Sequence, residues 1–165
     1  MYLHGMLTPA TREDIDFLFH LYMHPQVNRW LLYDPMDREA FEPVALELLA
    51  RQALFVYVVD GVRVGMCKLV PQRFRNAHIV YLGGVAVDPD RQGGGIAGQM
   101  LQAAIAWSRE RGYHRMELTV AVENTRAIAL YEKLGFVREG ILRDYTWLQT
   151  EGIFIDEQVM ALILR

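Results

Sequence analysis

Two short stretches of this chain carry residue types whose spacing suits chemistry. The first is Val85-Ala86-Val87-Asp88-Pro89-Asp90-Arg91-Gln92-Gly93-Gly94-Gly95-Ile96-Ala97-Gly98. An apolar run ends at Asp88-Pro89, a glycine-dense turn follows, and a helical pattern begins. Glycines let backbone N–H groups turn toward a ligand, and a helix N-terminus adds about half a positive charge. That combination holds phosphate, and its natural ligand is a pyrophosphate. Three consecutive glycines are entropically costly, so a plain connector has no need of them. The second stretch holds Asn124 and Tyr131. Seven residues make about two helical turns, which puts both on one side of a helix. Tyr131 is a phenol with a pKa of about 10 and therefore a proton donor at neutral pH. By periodicity alone it reads more readily as a ring packed beside Leu134 and Phe136.

Other phosphate-binding patterns fail at the glycine turn. No Gly-Lys-Ser/Thr follows, which excludes a P-loop. Gly93, Gly95 and Gly98 satisfy G-x-G-x-x-G by count. That fingerprint, however, belongs after the first strand of a βαβ unit. Here three strands and two helices come first.

The elements that must position these residues follow from hydrophobic period. Residues 2–8 read as a strand. Thr11 caps a helix to Met23, with Ile15, Leu18, Phe19 and Tyr22 at helical spacing, and His24-Pro25 ends it. Residues 24–37 read as an irregular loop, and Arg38–Arg51 as a second helix. Leu54–Val59 and Val62–Val70 form a hairpin about Asp60-Gly61. Ile79–Val87 is a nearly all-apolar strand of the kind covered on both faces. Helices over Gly98–Arg111 and Asn124–Leu134 bracket a strand from Arg115 to Val122. Strands over 136–147 and 153–164 close the chain. The pattern is βααβββαβαββ, an α/β (α+β) domain with a mixed sheet of about seven strands and helices on both faces, expected to fill residues 1–165 as one domain.

These motifs resemble the GNAT (Gcn5-related) N-acetyltransferases. The family's cofactor signature, Gln/Arg-x-x-Gly-x-Gly/Ala, reads here as Gln92-Gly93-Gly94-Gly95-Ile96-Ala97. Val85–Pro89 matches the strand that precedes it. A second signature runs from Asn124-Thr125-Arg126-Ala127 to Tyr131-Glu132-Lys133-Leu134-Gly135-Phe136. Residues 136–160, with Glu139-Gly140-Ile141-Leu142-Arg143-Asp144 and Asp156-Glu157, look like the branch holding ribosomal-protein and amino-acid N-acetyltransferases. The resemblance implies acetyl-CoA as co-substrate, held by Val85, Ala86 and Val87, by Gln92 to Gly98, and by Asn124, Ala127 and Tyr131. It also implies a strand bulge that frees an N–H near Val87 as an oxyanion donor, typically worth about 3 kcal/mol. Tyr131 then protonates the departing thiolate.

The proton acceptor is harder to find. Where relatives keep carboxylates this chain has Tyr81 and Thr119. Strand alternation puts Glu117, Thr119 and Glu123 on one face, opposite Leu118, Val120 and Val122. Glu117 is thus the candidate base, directly or through a water. Its alternative reading is a solvated or salt-bridged edge residue. An ordered water at Tyr81 is the other route. An α-amine, with a pKa near 8, needs less help than a lysine near 10.4. The acceptor class is a primary amine (a protein N-terminal amine, an amino acid or another small amine), and the missing carboxylates lean toward an α-amine or amino acid within it. Residues 24–37 and 143–154, with Trp30, Tyr33, Tyr145, Trp147 and Phe154, are expected to line the acceptor cleft or to cover a homodimer contact. The other reading is a catalytically weak acyl-CoA-binding sensor or interaction module.

Composition bounds the rest. The chain has 165 residues, a formal net charge of -3 and one cysteine, Cys67. Mild acidity argues against a nucleic-acid partner. One thiol rules out an intrachain disulfide or a thiolate cluster, and Cys67 reads as a small buried hydrophobe. His20, His24, His78 and His114 show no ligand spacing, so no metal is expected. No apolar run approaches the roughly 18 residues that span a bilayer. The expected setting is cytoplasmic, without membrane association.

Overall fold

Proline and glycine punctuation breaks the chain into elements in the expected order. The computed structural model describes residues 5–91 and 93–165. The elements are β1 (Gly5–Pro9), α1 (Ile15–Met23), α2 (Arg38–Ala50), β2 (Leu54–Val59), β3 (Val62–Pro71), β4 (Ile79–Val87), α3 (Ile96–Glu110), β5 (Arg115–Ala121), α4 (Thr125–Lys133), β6 (Val137–Leu148) and β7 (Ile153–Ile163). The seven strands form one mixed sheet in the order β1-β2-β3-β4-β5-β7-β6. Strand β4 runs parallel to β5, while β1/β2, β2/β3, β5/β7 and β6/β7 are antiparallel. No helix among the described residues is long and apolar enough to cross a membrane.

The chain falls into two compact units. One takes the stretch up to Leu69 with Gly84–Ala104, and the other takes Val70–Gly83 with Ile105–Arg165. In the first, Asp14 accepts the Thr11 N–H at 2.8 Å, and the Asp14 N–H bonds the Thr11 carbonyl at 2.9 Å. The first turn is thereby 3-10, and α1 proper starts at Ile15 rather than beside Thr11. Ile15, Leu18, Leu21 and Tyr22 of α1 pack with Phe41 and Ala45 of α2 on Leu54, Met66 and Ala86. Tyr57, Val59 and Val64 pack with Met100 of α3. Val64 is the extra residue where β2 and β3 shift register, between Gly65 (opposite Tyr57) and Arg63 (opposite Val58). This bulge turns Val64 to the face opposite Met66, so these strands carry α1 and α2 on one face and the start of α3 on the other.

The second unit is built on β5, β7 and β6. Met116, Leu118 and Val120 of β5 are buried, alternating with half-buried Arg115, Glu117, Thr119 and Ala121. The expected strand residues Val122 and Glu123 are corrected to a turn. Asn124 N–H bonds the Ala121 carbonyl at 2.9 Å and Val122 N–H bonds Asp156 at 3.0 Å, bending the chain into α4. Glu123 therefore does not share the strand face of Glu117 and Thr119.

Candidate active site

The glycine turn has the backbone that the sequence demands. Gly93, Gly94 and Gly95 all sit in the left-handed region, with φ of 108°, 62° and 73°. A run of three such residues is open only to glycine. Nothing lies within 4 Å of the point where a Cβ on any of them would be, so the turn presents bare backbone. Helix α3 begins at Ile96, two residues before the expected start, and Gln99 N–H to the Gly95 carbonyl (3.0 Å) is an early intrahelical bond. The first-turn amides of Ala97 and Gly98 are left to point out of the helix end. Gln92 lies outside the described residues. Upstream, Ala86 is buried under α1 and α2, while Val85 and Val87 pack on the α3 side. The extended run of β4 is interrupted one residue earlier, at Gly84 (φ 54°).

In the second unit Asn124 is the N-cap of α4 rather than a helical residue, and its Oδ1 accepts the Ala127 N–H at 3.3 Å. Tyr131 is buried, with its ring edge-on to Phe136 at 5.6 Å. On β5, Glu117 accepts from Arg115 Nε at 2.8 Å through one oxygen and from Gln72 Nε2 at 3.1 Å through the other. Arg115 also donates to both oxygens of Glu139. These hydrogen bonds raise the Arg115 pKa, with Glu139 the larger cause, and Arg115 in turn lowers Glu139. Tyr81 and Thr119 share a hydroxyl hydrogen bond of 3.2 Å.

Glu157 on β7 is a carboxylate that the sequence places in the family-resembling tail but not among the candidate proton acceptors. It stands opposite Ala121 of β5, while Val159 faces Thr119 and Ala161 faces Glu117. Directly paired residues project to the same face. Glu157 therefore shares the polar face of Glu117 and Thr119. It accepts a 2.9 Å hydrogen bond from the Thr146 hydroxyl, and burial raises its pKa against the lowering effect of that bond.

Residues 15–136 match the acetyltransferase (GNAT) family. The chain belongs to that family. It is 31% identical over 145 residues to an L-amino acid N-acetyltransferase of Escherichia coli K12, covering 85% of this chain and 78% of that protein. The fold is that of spermidine N-acetyltransferase from Vibrio cholerae, solved with CoA and spermine (TM-score 0.85, 24% identity, 97% and 95% of the two chains). Ribosomal-protein-alanine N-acetyltransferase from Brucella melitensis is also similar (TM-score 0.80, 26% identity, 96% and 99%). The chain spans less than half the length of other curated relatives it matches, 42% of one and 22% of another.

Within this GNAT member, the residues expected around the acceptor are open to solvent on both units. Trp30 is exposed beside half-buried Tyr33, and Tyr145, Trp147 and Phe154 are exposed on the last hairpin, where Trp147 and Phe154 pair at 4.7 Å. His20, Asp88 and Asp90 bring one ligand atom each within 4.8 Å of one another, although their sequence spacing gives no hint of it. His20 and Asp88 are 3.4 Å apart, a surface pair between α1 and the turn after β4. Cys67 is fully buried, and burial pushes its thiol up to about 12, which makes it unreactive. Lys68 is a further buried residue that the sequence reading passed over. A lysine inside the apolar run Val64–Val70 was the signal.

Proposed function

We propose that this chain is an acetyl-CoA-dependent N-acetyltransferase that moves an acetyl group to a primary amine by direct attack in a ternary complex. The observation that carries the reading is the run of three left-handed glycines ahead of α3 in a member of the GNAT family. Bare backbone at Gly93 to Gly95, with the amides of Ala97 and Gly98, fits the pyrophosphate of acetyl-CoA, and Ile96 is assigned to the same turn. Gln92, Val85, Ala86 and Val87 are assigned to the same co-substrate, and so are Asn124, Ala127 and Tyr131. That CoA accompanies spermine in the Vibrio cholerae protein supports a two-substrate site.

The neutral amine nitrogen attacks the thioester carbon, and a backbone N–H near Val87 stabilises the oxyanion. The C–S bond breaks, and Tyr131 gives its proton to the thiolate. The amine's proton goes to a carboxylate on the polar face of β5 and β7. Glu117 is the residue that strand alternation singles out. Glu157 is the one its surroundings favour, because burial makes its carboxylate more basic and no cation is bonded to it in the described residues.

The whole chain is taken to act as one domain. The acceptor class follows the relatives, an amino acid, another small amine or a protein N-terminus. A cytoplasmic setting accords with Cys67 as a buried free thiol. Exposed Tyr145, Trp147 and Phe154 are assigned to the acceptor or to a second copy of the chain. The engaged state of Glu117 favours a second reading, an acyl-CoA sensor with little turnover.

Gly95→Val tests the cofactor turn. A β-branched residue at φ 73° is strained, and its side chain covers the backbone. Calorimetry should show acetyl-CoA affinity falling at least about 100-fold while the circular dichroism spectrum is kept. Unchanged affinity in the folded variant contradicts the assignment.

A further inference from the structure

The proposed acetyl transfer leaves a group of polar side chains around Gly84 unused. Lys68 lies between buried neighbours Met66, Cys67 and Leu69, and it is itself only 9% exposed. An ammonium placed this way normally has a carboxylate opposite it, because a lone buried charge is expensive to desolvate. Among the described residues no carboxylate bonds to Lys68. Its ammonium instead faces the ring of Tyr33, 5.7 Å from Nζ. Burial alone lowers its pKa.

Tyr22 of α1 adds a second unmatched group. The side chain is fully buried, and its hydroxyl has no hydrogen-bond partner among the described residues. Burial raises its pKa, so the phenol keeps its proton and remains a donor. The two side chains crowd one point. A Cβ built on Gly84 would lie 2.9 Å from Tyr22 Oη and 3.3 Å from both Cγ and Cε of Lys68. The left-handed glycine in β4 thus lies against the Tyr22 hydroxyl and the stem of Lys68 together, and among the described residues neither the hydroxyl nor the ammonium beyond that stem has a hydrogen-bond acceptor.

We propose that Lys68 and Tyr22 form an anion subsite for a carboxylate of the acceptor, and that the acceptor is an amine of the amino-acid class rather than a polyamine. The inference rests on the acetyltransferase reading and adds a substrate class to it. A carboxylate accepts a charge-assisted hydrogen bond from Lys68 Nζ and another from Tyr22 Oη–H. It also restores the charge balance that burial disturbs, while Tyr33 keeps its ring toward the ammonium. A polyamine would instead bring further positive charge to a cation with no carboxylate beside it among the described residues.

The test measures CoA release for an amino acid, its carboxamide and spermidine, on the wild type and on K68M and Y22F. The wild type should favour the acid over its amide by about 100-fold in kcat/KM, and spermidine should be poorer still. K68M should lose that preference, bringing the acid-to-amide ratio close to one. Y22F should reduce the ratio about 3- to 10-fold. Acetyl-CoA affinity, measured by calorimetry, should be the same in all three proteins. An acid no better than its amide in an active wild type overturns the subsite and leaves the acetyltransferase reading standing. A loss of acetyl-CoA affinity in K68M overturns it too, by placing Lys68 in the co-substrate site. If no amine is acetylated, the catalytic reading fails, and calorimetric titration with the free amino acid decides the subsite separately. Heat of binding that disappears in K68M upholds it, and no heat in the wild type overturns it.

Discussion

Arg115 and Lys68 are two cations set into strands of the same sheet, and their surroundings differ completely. Arg115 is matched. Glu117 and Glu139 accept its hydrogen bonds, Gln72 occupies the remaining Glu117 oxygen, and the guanidinium pKa rises. Lys68 has an aromatic ring and, among the described residues, no carboxylate, and its pKa falls. The same contrast separates the two carboxylates of the β5–β7 face. Glu117 belongs to the matched network, while Glu157 has a hydroxyl partner and a raised pKa. A matched charge has its desolvation offset within the protein, and removing one partner exposes that cost as lost stability. An unmatched charge weakens the fold and is retained where a ligand completes it. Stability is therefore expected to follow Arg115 and Glu117, and activity to follow Glu157, Lys68 and Tyr22.

The largest effect that sharpens this contrast is on turnover. Tyr131→Phe should lower kcat about 10- to 1,000-fold with acetyl-CoA affinity kept, and it sets the scale for a group placed in the chemistry. Against it, Glu157→Gln should cut kcat/KM about 10- to 100-fold at low pH, where the amine is protonated. The gap should narrow as pH rises and solvent supplies the neutral amine. Glu117→Gln should follow the wild-type pH profile at a nearly constant offset of a few-fold or less. The pH dependence of kcat/KM with one amine compares all three. A Glu117→Gln profile that diverges at low pH, with Glu157→Gln running parallel to wild type, reverses the assignment of the base.

Stability gives the smaller effects, and here the signs should oppose. Arg115→Met strands Glu117 and Glu139 and should cost about 2 kcal/mol, between the ~0–1 of an exposed pair and the ~3–5 of a buried one, because solvent screens the half-open Glu139. That is a fall in Tm of roughly 4–8 °C for a domain of this size. Lys68→Met removes an unmatched charge and keeps the volume, so Tm should rise. Glu157→Gln has a pH signature. Because its folded pKa is raised, the ionised form is the one the fold disfavours. Wild-type Tm should therefore trail the variant above that shifted pKa and converge with it at low pH. Thermal unfolding against pH reads all three, and a Tm that falls in Lys68→Met breaks the comparison.

How much of this the sequence discloses depends on how local the cause is. Strand β4 runs over Ile79–Val87, as its apolar run predicts, and the order of all elements follows from period and punctuation. The glycine turn is contiguous, so its backbone demand is visible in the letters. The ends of helices move by a residue or two because caps decide them: Gly95 supplies the carbonyl for Gln99, and Asn124 caps α4 from outside it. The unmatched groups are less legible. Glu157 reaches the face of Thr119 only through the register of β7 on β5, and Thr146 meets it only through the irregular stretch of β6 between Leu142 and Thr146. Tyr22 looks like any core aromatic at helical spacing. Its orphan hydroxyl depends on Gly84, 62 residues away in sequence, bending β4 beside it.

The most direct test of the central claim follows free thiol when the purified chain meets acetyl-CoA with and without primary amines, with mass spectrometry of the products. Thiol should appear only when an amine is present, with one acetylated amine formed per CoA released and an amino acid among the best acceptors. Tight acetyl-CoA binding with no amine-dependent release across amino acids, polyamines and peptide N-termini would contradict the enzyme and leave the sensor.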